Sequence, residues 1–289
     1  FINFLFLIYL FFLGAIYVYS LDSLETSRKR QFVRELNSNS TIFGENNQYD
    51  ETKNFLYTLL KDEKKIIRWD LKTGEHIEVV SRKVGNGPIL EDPESFVLSE
   101  DKKTLYICDS GNNFNKYMFS SGFIIKVDLE TRVRSYALAP EVGDILFLPN
   151  FMSIIPNSNK AYVYCYSTDT LYLADLKKGE KSPLFYEFLA FGKGTLKISS
   201  IKATSNRNLF VMFKNHDWFM RYSYHLNRRI PHSLKDKNHV IRNARMVSDN
   251  FNSLFIDIYD LDTNSFAKVS LGIDKIISFP MRSTASLDN

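Results

Sequence analysis

The stretch Asn54-Phe55-Leu56-Tyr57-Thr58-Leu59-Leu60, followed after a short break by Lys64-Lys65-Ile66-Ile67-Arg68-Trp69-Asp70-Leu71-Lys72-Thr73-Gly74, decides the fold of this 289-residue chain. Aromatic and β-branched residues dominate both runs, as they do in strands. The second run ends in turn residues, because Asp can bond its own backbone and Gly accepts a positive φ. We therefore predict two antiparallel strands and then a tight turn into a third strand.

The turn phrase at residues 70–74 returns further along the chain. Its copies are Asp128-Leu129-Glu130-Thr131-Arg132, Asp175-Leu176-Lys177-Lys178-Gly179, Asp260-Leu261-Asp262-Thr263-Asn264 and a weaker His225-Leu226-Asn227-Arg228. In chain order the steps between copies are 58, 47, 50 and 35 residues. Four strands at a period of roughly 40–50 residues are typical of a β-propeller blade, with each copy placed between the third and fourth strands. The competing fold, a sandwich of two sheets, needs no such period.

The predicted fold is therefore all-β, a β-propeller of four-stranded blades over residues 44–289. Five repeats are visible in the sequence. Residues 273–279 resemble the first strand of a further blade. This leaves two alternatives, a six-bladed ring with a truncated last blade or a five-bladed ring that this strand closes.

Residues 1–20 form an apolar block, and the first charged residue is Asp22. Such a block is typical of a signal peptide or a signal anchor. Residues 21–43 are polar and are predicted to form a short helix and a linker. We therefore expect a protein of the secretory pathway, secreted or anchored through its N-terminal segment. Asn39, in Asn-Ser-Thr, is the predicted glycosylation acceptor.

Charge and cysteine content exclude some functional classes. The net charge is +4, and lysines are scattered along the chain, so no basic stripe indicates nucleic-acid binding. The two cysteines, Cys108 and Cys165, lie in predicted strands and are expected to be buried thiols. A disulfide framework is not expected from so few cysteines.

Four blades offer oxygen-bearing side chains at one aligned position, just before the first strand. They are Glu45, Glu94, Asn150 and Asn243. Because these strand starts converge on the central channel, the four residues are candidate ligands for Ca²⁺ or another hard divalent cation. The fourth blade offers Lys197 or Ser199 there, and a lysine would oppose a cation. The alternative interpretation is that these residues only cap loops.

The pair His216-Asp217 is predicted to lie on the same face of the disc. His216 is a weak candidate for a general acid or base. The alternative is a surface histidine without a catalytic role.

The opening blade resembles the gluconolactonase-like (SMP-30-like) propellers, through Gly44-Glu45-Asn46 and Ile67-Arg68-Trp69-Asp70. The middle of the chain is similar to the strictosidine synthase-like branch, through Leu105-Tyr106-Ile107-Cys108-Asp109-Ser110 and Phe147-Leu148-Pro149-Asn150. The resemblance covers about residues 44–213. It implies a six-bladed propeller with a channel cation, for which Glu45 and Asn150 match the ligand positions. The acidic ligand that the family places near residues 194–197 has no counterpart here.

Two functions from different classes follow. The first is a metal-dependent hydrolase of lactone or ester bonds, in which a channel cation polarises the carbonyl and activates water. The second is a catalytically silent extracellular propeller that binds a small molecule or a protein partner through its loops. The retained Glu45 and Asn150 favour the first function, and the missing acidic ligand favours the second. The sequence leaves the substrate or ligand, the intactness of the metal site and the oligomeric state undetermined.

Overall fold

In a computed structural model, the described residues are 47–50, 52–111, 122–140, 146, 148–189, 196–234, 244–246, 255–260, 265–270 and 275–277. Within these residues, the regular elements are β-strands. No helix in this part of the chain is long and apolar enough to span a membrane. The predicted segments 1–20 and 21–43, with Asn39, lie outside the described residues.

The described strands form consecutive four-stranded antiparallel sheets, which are the blades. The first contains β1 (Asn47–Asp50), β2 (Phe55–Leu60), β3 (Lys65–Asp70) and β4 (His76–Val80). The second contains β5 (Pro93–Leu98), β6 (Thr104–Asp109), β7 (Phe123–Asp128) and β8 (Arg134–Leu138). The third contains β9 (Pro149–Ile154), β10 (Lys160–Cys165), β11 (Thr170–Asp175) and β12 (Glu180–Phe185).

The fourth blade contains β13 (Ile198–Ala203), β14 (Asn208–Phe213), β15 (Trp218–Ser223) and β16 (Arg228–Ser233). The fifth contains β17 (Ala244–Met246), β18 (Phe255–Asp260), β19 (Ser265–Ser270) and β20 (Lys275–Ile277). The first strand of each blade contacts the first strand of the next, from β1 through β5, β9 and β13 to β17. These contacts place the first strands innermost, and the predicted β-propeller is confirmed.

The fifth blade corrects two sequence predictions. Asp260 ends β18, the second strand of its sheet, so the turn phrase at 260–264 follows a second strand and not a third. Residues 275–277 pair with β19 as a fourth strand and do not begin another blade. The error has a physical reason, because an Asp turn depends on local side chain–backbone bonds and fits either hairpin of a blade.

The hydrophobic core lies between blades. One cluster joins the first and second blades through side chains such as Leu59, Val80 and Phe96. A second cluster joins the second and third blades, and a third joins the third and fourth. Each fully buried Leu, Ile or Phe contributes about 1.5–3 kcal/mol relative to exposure. Cys108 and Cys165 are buried free thiols, as predicted, and burial raises the pKa of Cys108 to about 12.

The turns between third and fourth strands confirm the predicted Asp chemistry. In the first blade, Asp70 Oδ1 accepts hydrogen bonds from the N–H groups of Lys72 (2.8 Å) and Thr73 (3.3 Å). Asp128 and Asp175 hold the second and third blades' turns in the same way. Each turn ends in a residue of positive φ, which is 75° at Gly74, 59° at Arg132 and 73° at Gly179.

Candidate functional site

The disc has two faces that differ in their loops. We call the upper face the one that carries the connections between blades and the loops between second and third strands, including residues 61–64, 81–92, 109–111, 166–169 and 214–217. The lower face carries the turns between first and second strands and between third and fourth strands. It includes residues 99–103, 128–133, 155–159, 175–179, 204–207 and 224–227. Of the predicted metal-binding residues, the described Glu94 and Asn150 lie towards the upper face.

Glu94, Asn150 and Ser199 occupy one structural position in three neighbouring blades. Each is the second residue of an innermost strand, and each is the extra residue of a β-bulge against the second strand. In the second blade the register steps from Pro93–Asp109 to Ser95–Cys108 across Glu94. The third and fourth blades show the same step across Asn150 and Ser199. A bulge re-aims the side chain of its extra residue, and bulges are frequent beside binding sites.

This register also resolves the alternatives in the fourth blade. Ser199, which is fully buried, matches the position of Glu94 and Asn150. Lys197 lies before β13 with an exposed side chain, and its carbonyl accepts a hydrogen bond from Lys214 N–H at 2.7 Å. Because Ser199 and not Lys197 holds the aligned position, the expected repulsion between a lysine and a cation does not arise there.

Glu94 is engaged in an ion pair between blades. Its Oε2 lies 3.2 Å from Nζ of Lys61, which follows β2 in the first blade, and both side chains are partly exposed. Beside this pair, Lys64 Nζ donates a hydrogen bond to the carbonyl of Glu91. The two lysines thus join the first blade to the strand start of the second, and exposed pairs of this kind contribute about 0–1 kcal/mol each.

Asn150 supports a loop of its own blade. Its Oδ1 accepts a hydrogen bond from Tyr166 N–H at 3.1 Å. Glu45 and Asn243 lie outside the described residues, so the four-residue ligand set stays a prediction. Among the described residues, no group of three or more His, Cys, Asp or Glu side chains could hold a metal ion.

Asp109 holds the upper end of the second blade. Its carboxylate accepts hydrogen bonds at 2.9 Å from the N–H groups of Glu91, Asp92 and Gly111. The side chain is fully buried, and this burial raises its pKa to about 6 despite the three donors. Asp109 therefore fixes the connection from the first blade and titrates in a mildly acidic range.

The predicted acid–base candidate His216 lies on the loop before β15, among aromatic rings. Its ring centroid is 6.0 Å from Trp218 and 6.3 Å from the buried Phe213. The ring centroids of Phe213 and Trp218 are 4.6 Å apart. These contacts make His216 part of an aromatic cluster on the upper face, and its catalytic role stays a prediction.

Two exposed tyrosines on the upper face of the third blade were not among the sequence candidates. Tyr166 begins the loop after β10 and is 45% exposed, and Tyr186 follows β12 and is 67% exposed. Large aromatic side chains this exposed are a feature of binding surfaces. Their sequence signal was weak, since tyrosines are also frequent in strands of this chain.

Asp169 ties the loop segments that carry both tyrosines. Its carboxylate accepts the N–H of Leu189 at 2.9 and 3.1 Å and the hydroxyl of Tyr164 at 3.1 Å. Its carbonyl accepts the N–H of Phe188 at 2.7 Å. Together with the Asn150–Tyr166 bond, these contacts connect residues 166–169 and 186–189 into one supported surface.

Lys202, like the two tyrosines, was not among the sequence candidates. It lies on the innermost strand β13, where the equivalent residue of the third blade is Ser153. Burial, and to a smaller extent the nearby Lys102, lowers the pKa of Lys202 to about 8. The sequence shows that this lysine lies in a strand. It does not show whether the strand is an inner or an outer strand of the blade, and only an inner position buries the side chain.

Comparison with known proteins shows the fold. No protein-family model matches the chain, and no curated protein matches it. Similar solved structures include a nidogen/laminin complex (TM-score 0.55, 15% identity, covering 80% of this chain and 77% of the other). An auxiliary nutrient binding protein from Bacteroides thetaiotaomicron gives a TM-score of 0.52 at 13% identity and covers 82% and 56%.

A catalytically inactive virginiamycin B lyase from Staphylococcus aureus with quinupristin gives a TM-score of 0.50 at 10% identity. The match covers 82% of this chain and 70% of the lyase chain. These similarities are to β-propellers of diverse activity, so they establish the architecture alone.

Proposed function

We propose that this protein is a binding propeller that uses the upper face of its third and fourth blades for a protein partner or a small ligand. The observation that carries this proposal is the pair of exposed tyrosines, Tyr166 and Tyr186, on loops that Asp169 and Asn150 hold in place. Tyrosine is enriched at interfaces because its ring buries much area and its hydroxyl keeps a polar partner.

The support beneath the tyrosines is what makes the surface suited to binding. Association loses free energy when flexible loops must be ordered, and loops that are already hydrogen-bonded avoid this loss. The aromatic cluster of Phe213, His216 and Trp218 extends the surface on the next blade. Structural neighbours include a complex of two proteins and a nutrient-binding protein, which agrees with this type of function without identifying a ligand.

The test compares a double variant with a matched control. Y166S/Y186S removes both upper-face rings, and L226S removes an exposed apolar side chain (62% exposed) from the lower face. The partner is first recovered from the extracellular fraction with the wild-type protein, and its dissociation constant is then measured with purified components. We expect at least about a tenfold loss for Y166S/Y186S, which corresponds to two moderate interface contacts. Equal affinities for the wild type and both variants would reject the proposed surface.

A second candidate function, metal-dependent lactone or ester hydrolysis, is favoured by the repeated bulge at Glu94, Asn150 and Ser199. In this candidate, Glu45, Asn150 and Asn243 bind Ca²⁺ or another divalent cation, with Glu94 nearby and His216 as acid or base. Calcium should then raise the thermal midpoint of the wild-type protein but not of E45Q. A wild-type midpoint that is insensitive to calcium would reject the cation site.

We also propose that the chain is exported, as its first 20 residues predict. Asn39 would then carry a glycan in a eukaryotic secretory pathway. Treatment with an N-glycosidase should shift the mobility of the secreted wild-type protein but not of N39Q. Retention of the wild-type protein in the cytosol would contradict export.

A further inference from the structure

The lower face carries an uneven distribution of charge. In the second blade its turns contain four acidic residues (Glu100, Asp101, Asp128 and Glu130) against three basic ones (Lys102, Lys103 and Arg132), so they carry a small net negative charge. In the fourth blade the turns 204–207 and 224–227 contain no acidic residue, and the exposed Arg207 and Arg228 lie in or directly after them. The third blade adds the exposed Lys177 and Lys178. We call Lys177, Lys178, Arg207 and Arg228 the basic strip.

Two acidic residues, Asp175 and Glu180, lie close to the basic strip. Asp175 Oδ1 accepts hydrogen bonds from the N–H groups of Lys177 (3.1 Å) and Lys178 (3.0 Å), and these bonds lower its pKa. Glu180 lies 4.0 Å from Lys178 Nζ, at the outer limit of an ion pair between two exposed side chains. Both carboxylates stay ionised, and the four cations of the strip exceed these two anions, so the strip keeps a net positive field.

Contacts between the third and fourth blades hold the arginine side of the strip in place. The hydroxyl of Tyr162 on β10 donates to the carbonyl of Arg207. The Arg207 guanidinium lies 5.3 Å from the ring centroid of Tyr224, which begins the turn before Arg228. The rings of Tyr162 and Tyr222 meet edge to face at 6.3 Å. Arg207 is therefore held beside the turn that leads to Arg228, on the same side of the disc as the two lysines.

We propose that the basic strip binds a sulfated polysaccharide chain. A linear polyanion can meet cations on two successive blades, and the planar guanidinium groups of Arg207 and Arg228 can each donate two hydrogen bonds to one sulfate group. The strip has no row of exposed aromatic rings on which nucleic-acid bases could stack. The proposal rests on the proposed export of the chain, because sulfated polysaccharides are extracellular.

The test uses immobilised heparin and two charge-matched pairs of substitutions. K177Q/K178Q and R207Q/R228Q each remove two charges from the strip, and their combination removes four. R82Q/K83Q removes two exposed charges from the upper face and is the control. Thermal midpoints within error of the wild type establish that the variants are folded.

We expect the fourfold variant to bind heparin at least about tenfold more weakly in 0.15 M salt, with a smaller dependence of affinity on salt because fewer counterions are released. R82Q/K83Q should bind like the wild type, and fully desulfated heparin should not compete. Y166S/Y186S should also keep heparin binding, which separates this test from that of the upper face.

Three results would overturn the proposal. The first is equal heparin affinity for R82Q/K83Q and for both strip pairs, K177Q/K178Q and R207Q/R228Q, because each removes two charges and binding would then follow net charge alone. The second is equal competition by desulfated heparin. The third is preferential binding of the strip to vesicles that contain phosphatidylserine, which would identify an anionic membrane surface as the partner instead.

Discussion

Lys202 lies on β13, an innermost strand of the ring, and burial lowers its pKa to about 8. The pKa of an unfolded lysine is about 10.4. Between about pH 8 and pH 10.4 the unfolded chain binds more protons than the folded one, so stability rises with pH in this range. Below about pH 8, the folded protein carries the full unfavourable free energy of a charged and buried ammonium group.

We expect K202M to increase the free energy of unfolding at pH 7 by about 1–3 kcal/mol, since each pKa unit corresponds to 1.36 kcal/mol. The gain should fall as the pH rises above 8 and be nearly gone by about pH 11, where the wild-type lysine is mostly neutral in both states. Denaturant unfolding at the two pH values measures this. K197M is the control, because Lys197 is exposed just before the same strand. Equal effects of the two substitutions would contradict a buried ammonium.

The titration of Asp109 should make the stability of the fold depend on pH in the acidic range. Burial raises its folded pKa to about 6, above the unfolded value of about 3.9, so the folded state binds more protons between these values. Its contribution to stability is therefore present below about pH 4 and is lost as the pH rises to 6. In D109N, the decrease of about 2–3 kcal/mol over this interval should vanish.

Asp175 is the comparison for that experiment, because its contribution to stability changes with pH in the opposite direction. Backbone N–H groups, first that of Lys178, lower its pKa, so its contribution is present above the unfolded pKa and is lost as the pH falls. D175N should therefore lower stability at pH 6 and have no effect near pH 2. If D109N and D175N changed the pH profile in the same direction, burial would not control the titration of Asp109.

At the scale of turns, Gly74 and Arg132 share one backbone conformation and differ in the strain that this conformation imposes. Both end a turn between third and fourth strands with φ near 60–75°, and a Cβ added at Gly74 would meet no atom within 4 Å. G74A should cost about 1 kcal/mol, and R132G should gain about 0.5 kcal/mol, because only glycine adopts this conformation without strain. Thermal midpoints test both. A stabilising G74A would contradict the strain argument.

At the scale of blade contacts, two arginines occupy one repeated position. Arg134 on β8 and Arg229 on β16 each pair with the fifth residue of the preceding strand. Arg134 donates to the carbonyls of Ser81 (2.7 Å) and Gly85 (2.8 Å), and Arg229 donates to those of Glu187 (3.1 Å) and Phe188 (2.8 Å). Each arginine thus holds the connection that leads from the preceding blade.

We expect R134M to destabilise the fold by about 2–4 kcal/mol, because Arg134 is buried and two carbonyls lose charged donors. R229M should cost less, because Arg229 keeps contact with water. Denaturant unfolding of both variants measures the difference. A larger loss for R229M would show that burial does not set the strength of this contact.

These elements also show what the sequence can and cannot predict. The Asp turns were predictable because their hydrogen bonds are local, within three residues of the Asp. The arginine contacts and the bulges at Glu94, Asn150 and Ser199 were not, because they depend on backbone groups that meet only after blades and strands have packed. The alignment of Glu94 with Asn150 was nevertheless correct. An inserted turn residue changes the number of residues between two strands, but the start of each strand stays recognisable in the sequence.

At the scale of the molecule, repetition made the propeller predictable, while the order of strands within the fifth blade was not. A turn phrase identifies a hairpin but not which hairpin of a blade it closes. The outer edge strands also contain prolines that the repeat pattern does not predict. Pro183 on β12 and Pro231 on β16 remove hydrogen-bond donors from these exposed edges. Such edges discourage association through strand pairing and leave the two faces as the binding surfaces.

We propose that the upper face of the third blade binds the partner. Amide hydrogen exchange of the purified complex tests it most directly, because binding slows exchange where loops are covered. We expect added protection at residues 166–169 and 186–189, with none at the lower-face turn 224–227. Protection confined to the lower face, or unchanged exchange at both upper-face segments, would contradict it.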